Sequence, residues 1–162
     1  MQICRLYEKN LDVALELVWC VFEQFVKEQF EEQGARTFEY FIRRDNMEEM
    51  MRSGELVFFG AYEASRLVGV IAMRDGFHVS LLFVDGEYQR HGVARRLFRR
   101  AAAHCMDQNP MLRHITVNAS PNGVPAYAAM GFYPLSAEQV KEGMRFTPMR
   151  IDVRAEGGGE AG

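Results

Sequence analysis

Gln89-Arg90-His91-Gly92-Val93-Ala94 stands between an apolar run and an arginine-rich helical pattern, within the stretch Leu81–Ala103. The run reads as a buried β-strand that turns sharply into a helix. Gln89, Gly92 and Ala94 are spaced so that the backbone amides at the helix start stay bare. A bare helix N-terminus carries N–H groups without intrahelical partners and a partial positive charge, and both attract phosphate. No Gly-Lys-Ser/Thr follows, which excludes a mononucleotide P-loop, and the absence of G-x-G-x-x-G argues against a dinucleotide fold. An arginine recognition helix for DNA stays open, although the preceding strands and an acidic chain weigh against it. The chemistry that remains is a ligand with a pyrophosphate and more beyond it.

The elements around this turn follow from periodicity. Gln2–Tyr7 alternates as a short first strand, and Asn10 stands at the N-cap of an amphipathic helix over Leu11–Phe30, with Trp19 read as a packing residue. Gly34 breaks that pattern, and Thr37 caps a second helix that runs to Met51 and ends at Ser53-Gly54. The connection between these helices, EQFEEQGAR, reads as a solvated loop or as a lip facing a substrate. Glu55–Tyr62, Arg66–Met73 and Phe77–Val84 form an antiparallel meander, because their turns are too short for parallel crossovers. The helix Val93–Met106 then leads to a strand at Arg113–Ala119, predicted to lie parallel to the third strand of the meander. A short helix follows from Val124 to Met130, and a last strand spans Gly143–Val153, with Pro148 marking an edge or a bulge. The fold class is therefore α/β (α+β), with one domain over residues 1–154 and a disordered tail over 155–162.

Composition narrows the partners. A net charge of −3 and a pI near 5.8 argue against general nucleic-acid binding. Between Glu8 and Glu63 thirteen acidic residues face six basic ones, whereas Tyr88–Met106 holds five arginines and no acid. An anionic ligand fits the second stretch, and a cationic one fits the first. Cys4, Cys20 and Cys105 form no C-x-x-C pair, so neither a disulfide framework nor a zinc site is expected. A soluble, cytoplasmic protein with no membrane or metal partner is the expectation.

Gln89-Arg90-His91-Gly92-Val93-Ala94 resembles the Gln/Arg-x-x-Gly-x-Gly/Ala signature of the GCN5-related N-acetyltransferase (GNAT) superfamily. VNASPNGVPAYAAMGF, from Val117 to Phe132, is similar to the second motif of that family, with Tyr127 four residues before Gly131-Phe132. The resemblance covers Phe77–Pro134. It implies a mixed, mostly antiparallel sheet whose fourth and fifth strands splay apart, with helices on both faces and acetyl-CoA lying in the opening. The backbone of Leu82, Phe83 and Val84 would pair with the cosubstrate, and the amide of Val84 or a neighbour would hold the oxyanion. The residues Gln89, Arg90, His91, Gly92, Val93, Ala94 and Arg95 would surround the pyrophosphate, where Gly92 and Ala94 intrude least. Asn118 and Ser120 would bond the cosubstrate or orient a water. Many relatives carry asparagine where this chain has Ser120, a departure that bears on the side-chain contact.

The same resemblance makes Tyr127 the acid that protonates the departing CoA thiolate. Some relatives place a glutamate base near the position of Thr116. Here His78 and Ser80, on one strand face, are the alternative base, directly or through water, and Glu32 and Glu39 are further candidates. The implied activity is direct acetyl transfer from acetyl-CoA to a primary amine, on a small molecule or polyamine, a lysine or a protein N-terminus. A catalytically silent acyl-CoA sensor is the competing reading, and the last strands leave room for a homodimer.

Overall fold

The computed structural model describes residues 1–154, so the predicted disordered tail lies outside the described residues. Strand β1 (Gln2–Leu6) opens the chain and is followed by helix α1 (Leu11–Phe25), whose buried Leu11, Ala14, Leu15, Val18, Val21 and Phe22 recur at helical spacing. Asn10 occupies the expected cap position, but its side chain accepts from the Tyr7 amide (2.9 Å) rather than from the helix. Trp19 stacks on Phe22 with centroids 5.4 Å apart, as a packing residue should.

The predicted second helix is two helices, α2 (Glu32–Phe41) and α3 (Arg44–Arg52). Gly34 does not break a helix. It is buried inside the first turn of α2 because a Cβ there would collide with the carbonyl of Gly143. Thr37 is no cap either, since its hydroxyl donates to the carbonyl of Gln33 (2.9 Å). The helix start is capped from afar, by the Gly143 carbonyl accepting from the Glu31 amide (3.0 Å). Gly34→Ala is expected to cost about 1–3 kcal/mol as overpacking against backbone that cannot rotate away. A melting temperature lowered by several degrees would register it, and an unchanged one would remove this packing argument.

Strands β2 (Leu56–Glu63), β3 (Arg66–Arg74) and β4 (His78–Val84) form the predicted antiparallel meander. Helix α4 (Val93–Gln108) crosses over to β5 (His114–Ala119), which pairs parallel to β4. The short α5 (Val124–Ala129) precedes β6 (Tyr133–Pro134), β7 (Gln139–Lys141) and β8 (Met144–Asp152). Sheet order is β1-β2-β3-β4-β5-β8-β6, with β7 paired to β8 as a hairpin. Pro148 therefore lies on an interior strand. Its carbonyl accepts from Leu135 (2.8 Å) where β6 ends, so its missing N–H faces that frayed side and leaves the β5 ladder intact.

Two apolar layers sandwich the sheet. Val93, Leu97, Phe98, Ala101 and Cys105 of α4 pack with Phe59, Ile71, Val79, Val84, Ile115, Val117 and Tyr127 on one face. Leu11, Ala14, Val18, Met47 and Met50 of α1 and α3 pack with Phe58, Val70, Ala72 and Leu81 on the other.

Candidate active site

The opening is built by one extra residue. Ala72 faces Leu81 and Met73 faces Val79, which leaves Ser80 without an opposite number, a β-bulge in β4. A bulge bends its strand and increases local twist. The consequence is visible on the next side of the sheet, where β4 and β5 pair only at His78–Thr116 and Val79–Val117 before they part.

Which β4 groups face the gap follows from hydrogen-bond alternation in an antiparallel pair. The Asp85 amide donates to the Val68 carbonyl (2.9 Å), so Phe83, opposite Val70, also turns its backbone toward β3. Leu82 and Val84 turn theirs toward the departed β5. Of the three positions expected to pair with a cosubstrate, Phe83 is thus engaged elsewhere. The Val84 carbonyl is engaged as well, by Nε2 of Gln89 (3.0 Å). Gln89 accordingly straps the turn onto the strand end, which leaves the Leu82 amide and carbonyl and the Val84 amide free along the edge among the described residues.

Asp85 shapes the turn between strand and helix, a role that the Asp-Gly pair in the sequence could have signalled. Its Oδ1 accepts from the Glu87 amide (2.9 Å), while Oδ2 pairs with Arg66 (2.8 Å). Beyond it, Arg90 and Gly92 both adopt left-handed backbone, with φ of 67° and 81°. Left-handed residues next to right-handed ones make neighbouring N–H groups converge, an anion-binding concavity. Gly92 is the N-cap of α4, there is no side-chain cap, and the first turn has no acid. The amides of Val93, Ala94 and Arg95 therefore stand unclaimed among the described residues, and Arg90, His91 and Arg95 are exposed beside them. No Cβ contact lies within 4 Å of Gly92, so this glycine serves backbone conformation and open approach.

Tyr127 lies on α5, which is held against the start of α4. Nη2 of Arg95 donates to the Ala129 carbonyl (3.0 Å), tying α5 to the first turns of α4. Phe132 meets both the Phe98 and Tyr127 rings edge to face at 5.2 Å, which fixes the tyrosine in the α4-side layer. Its side chain is buried, and that burial holds the phenol far above its ordinary pKa. Among the described residues its hydroxyl has no hydrogen-bond partner. It is a protonated donor without an acceptor among the described residues.

His78 lies one rung before the last paired one, on the opposite sheet face from Val79, hence from Tyr127. Its Nδ1 is 2.7 Å from Oγ1 of Thr116, leaving Nε2 as the ring nitrogen without a partner among the described residues. Burial lowers its pKa, with the Arg74 charge adding to the effect and Asp75 opposing it. The other base candidates do not gather here. Glu32 is exposed and pairs with Arg36 (3.3 Å), and Glu39 lines an outer cleft of about 580 Å³ together with Asp12, Glu16 and Trp19.

Ser120 and Asn118 separate in role. The Ser120 hydroxyl donates to Oδ1 of Asn122 (2.9 Å), and its carbonyl accepts from Gly123 and Val124, so Ser120 organises the start of α5. Asn118 is exposed at the rung where the strands part. Asn122, overlooked in the sequence, clamps the far rim: its Nδ2 donates to the Phe25 carbonyl (2.8 Å) and its amide to Oε1 of Gln29 (3.2 Å). With the Gly34–Gly143 contact, this anchors both ends of the acidic connection between α1 and α2. The connection is a 3₁₀ turn (Lys27–Gln29) and the start of α2 rather than a free loop.

A profile of the family described as "Acetyltransferase (GNAT) domain" matches residues 26–153. The chain belongs to the GNAT acetyltransferase family. Solved GNAT structures share its fold at low identity. A GCN5-related N-acetyltransferase from Rhodopseudomonas palustris superimposes with a TM-score of 0.76 at 15% identity, covering 94% of this chain and 95% of that one. PaiA N-acetyltransferase from Thermoplasma acidophilum, in complex with coenzyme A, gives 0.72 at 16% identity over 94% and 98%. An aminoglycoside 6'-N-acetyltransferase complexed with coenzyme A gives 0.68 at 11% identity over 96% and 99%. No curated protein sequence matches the chain significantly. The expected GNAT sheet, mostly antiparallel with a parallel β4–β5 pair and helices on both faces, is the sheet observed. Among the described residues no helix is long and apolar enough to cross a membrane.

Proposed function

We propose that this GNAT protein transfers an acetyl group from acetyl-CoA to a primary amine. The observation that carries the proposal is the β4–β5 opening, where the free edge groups of Leu82 and Val84 lead directly to the bare N-terminus of α4. Amide-rich pantetheine suits a strand edge with unpaired N–H and C=O groups, as an added strand would. Pyrophosphate suits the convergent amides of Gly92, Val93, Ala94 and Arg95. Acetyl-CoA supplies the thioester carbonyl that an amine attacks.

The chain's own groups then divide the work. The Val84 or Leu82 amide, aimed into the gap, holds negative charge as it develops on the carbonyl oxygen. His78, kept neutral by burial, takes the ammonium proton through Nε2, directly or through a water, when Nδ1–H is donated to Thr116. Tyr127 gives its proton to the departing sulfur from the other sheet face. Burial makes the phenol a weaker acid, but it makes a thiolate in the same site more basic, so donor and acceptor stay matched. Amine and cosubstrate approach from opposite faces, and the nitrogen–carbon bond forms as the carbon–sulfur bond breaks.

Thiol release from acetyl-CoA against polyamines, lysine peptides, peptide N-termini and aminoglycosides tests this reading. Amine-dependent release of one thiol per acetyl group is expected. Tight CoA binding with a silent panel would instead make the protein an acyl-CoA sensor. The base assignment has its own signature. Because the histidine pKa is lowered, its neutral form persists to more acidic pH, so the rising limb of kcat/KM against pH falls below the ordinary histidine range of about 6.5. His78→Gln should remove that limb, and a limb that survives the substitution belongs to another group.

A further inference from the structure

We propose that Arg5, Arg100 and His104 form a second anion site over the Phe59 ring, on the flank where α4 crosses β1, and that its ligand is a phosphate group. Arg5 stands directly opposite Phe59 in the β1–β2 register, so both side chains rise to the α4 face. The Arg5 guanidinium carbon lies 5.9 Å from the Phe59 centroid and that of Arg100 4.6 Å, while the His104 ring meets Phe59 edge to face at 5.6 Å. Three groups able to carry positive charge therefore converge on one wholly buried ring.

Asp107 is the counter-charge that bears on His104, and neither arginine of the cluster is ion-paired among the described residues. Arg44, Arg52, Arg66, Arg74 and Arg145 each reach a carboxylate within 4.0 Å. Among the described residues, neither Arg5 nor Arg100 has an ion pair or a side-chain hydrogen bond. Nε of Arg5, like that of Arg44, is sealed from solvent with no acceptor among the described residues. The charged groups bearing on His104 are Arg5 from β1 and Arg100 and Asp107 from α4 itself, and β2 contributes only the Phe59 ring. Burial disfavours the imidazolium first, both arginines add to that, and Asp107 alone opposes it.

A phosphate group answers this arrangement better than a carboxylate. Its charge of about −1.5 to −2 near neutral pH balances two permanent cations, and its three oxygens can accept from two guanidinium forks and an imidazolium. The site is separate from the one at the start of α4. Arg100 and His104 lie seven and eleven residues beyond Val93, roughly 10 and 16 Å along the helix axis.

The test titrates inorganic phosphate into protein saturated with CoA, so that the α4 N-terminus is already engaged, and follows the His104 imidazole by NMR. Phosphate should raise the His104 pKa by about one unit in the wild type, since a nearby anion favours the charged ring. Arg100→Gln, at an exposed helical position, should abolish that response while leaving CoA affinity unchanged. If Arg5→Gln folds, it should do the same. A His104 resonance that phosphate does not move, or that moves equally in wild type and Arg100→Gln, overturns the proposal. The Arg100 comparison isolates this site even if CoA does not bind at α4, so the two readings fail separately.

Discussion

Replacement of Tyr127 by phenylalanine is expected to lower kcat by roughly 10²–10⁴-fold, the usual contribution of a positioned general acid, while CoA affinity stays within about twofold. The ring is held by Phe132 and by the Arg95 tether on α5, and neither contact involves the hydroxyl. Removing that hydroxyl breaks no protein hydrogen bond among the described residues and leaves the fold in place. The loss should fall on the chemical step alone. Because burial keeps the phenol protonated well above the ordinary tyrosine range, no alkaline limb in the wild-type pH profile should arise from Tyr127. Thiol-release kinetics beside calorimetric CoA binding separate the two effects. A kcat within about threefold of wild type would assign Tyr127 to packing.

Gly92→Glu is expected to weaken CoA binding by about a hundredfold or more. Left-handed backbone costs a side-chain-bearing residue roughly 1–2 kcal/mol, and the new carboxylate would occupy the place that the convergent amides offer to pyrophosphate. A carboxylate at a helix N-terminus is not destabilising in itself, and nothing lies within 4 Å to obstruct a Cβ. The variant should therefore fold, which circular dichroism can confirm, and lose the ligand. Unchanged affinity would mean that phosphate binds elsewhere.

The legible part of this site was its local chemistry. Gln89–Ala94 could be read as a turn with bare amides because a left-handed glycine and an uncapped helix start depend on neighbours within a few residues. The same holds for the meander, whose short turns permit only antiparallel strands. Ser80 shows where locality ends. Nothing in His78-Val79-Ser80-Leu81 announces a bulge, since it exists only in the register with Ala72 and Met73, yet it decides that Leu82 and Val84, and not Phe83, face the opening. Gly34 and Gly143 give the same lesson at longer range. A glycine in an amphipathic pattern reads as a stop, but this one is required by backbone that arrives more than a hundred residues later. Pro148 was misplaced for a related reason, because a two-residue partner strand tolerates a missing donor that a longer one would not. Asn122 sat in a visible turn motif, but only the fold could show that its side chain reaches the end of α1.

We propose that acetyl-CoA lies along the β4 edge with its phosphates at the start of α4. Backbone amide NMR of the labelled protein, titrated with CoA, tests it most directly. The account predicts that the largest shifts fall on the amides of Leu82, Val84, Gly92, Val93, Ala94 and Arg95, with Phe83 shifting less because its amide is committed to β3. Shifts concentrated instead around the cleft of Asp12, Glu16 and Glu39, with the α4 amides unmoved, would contradict it.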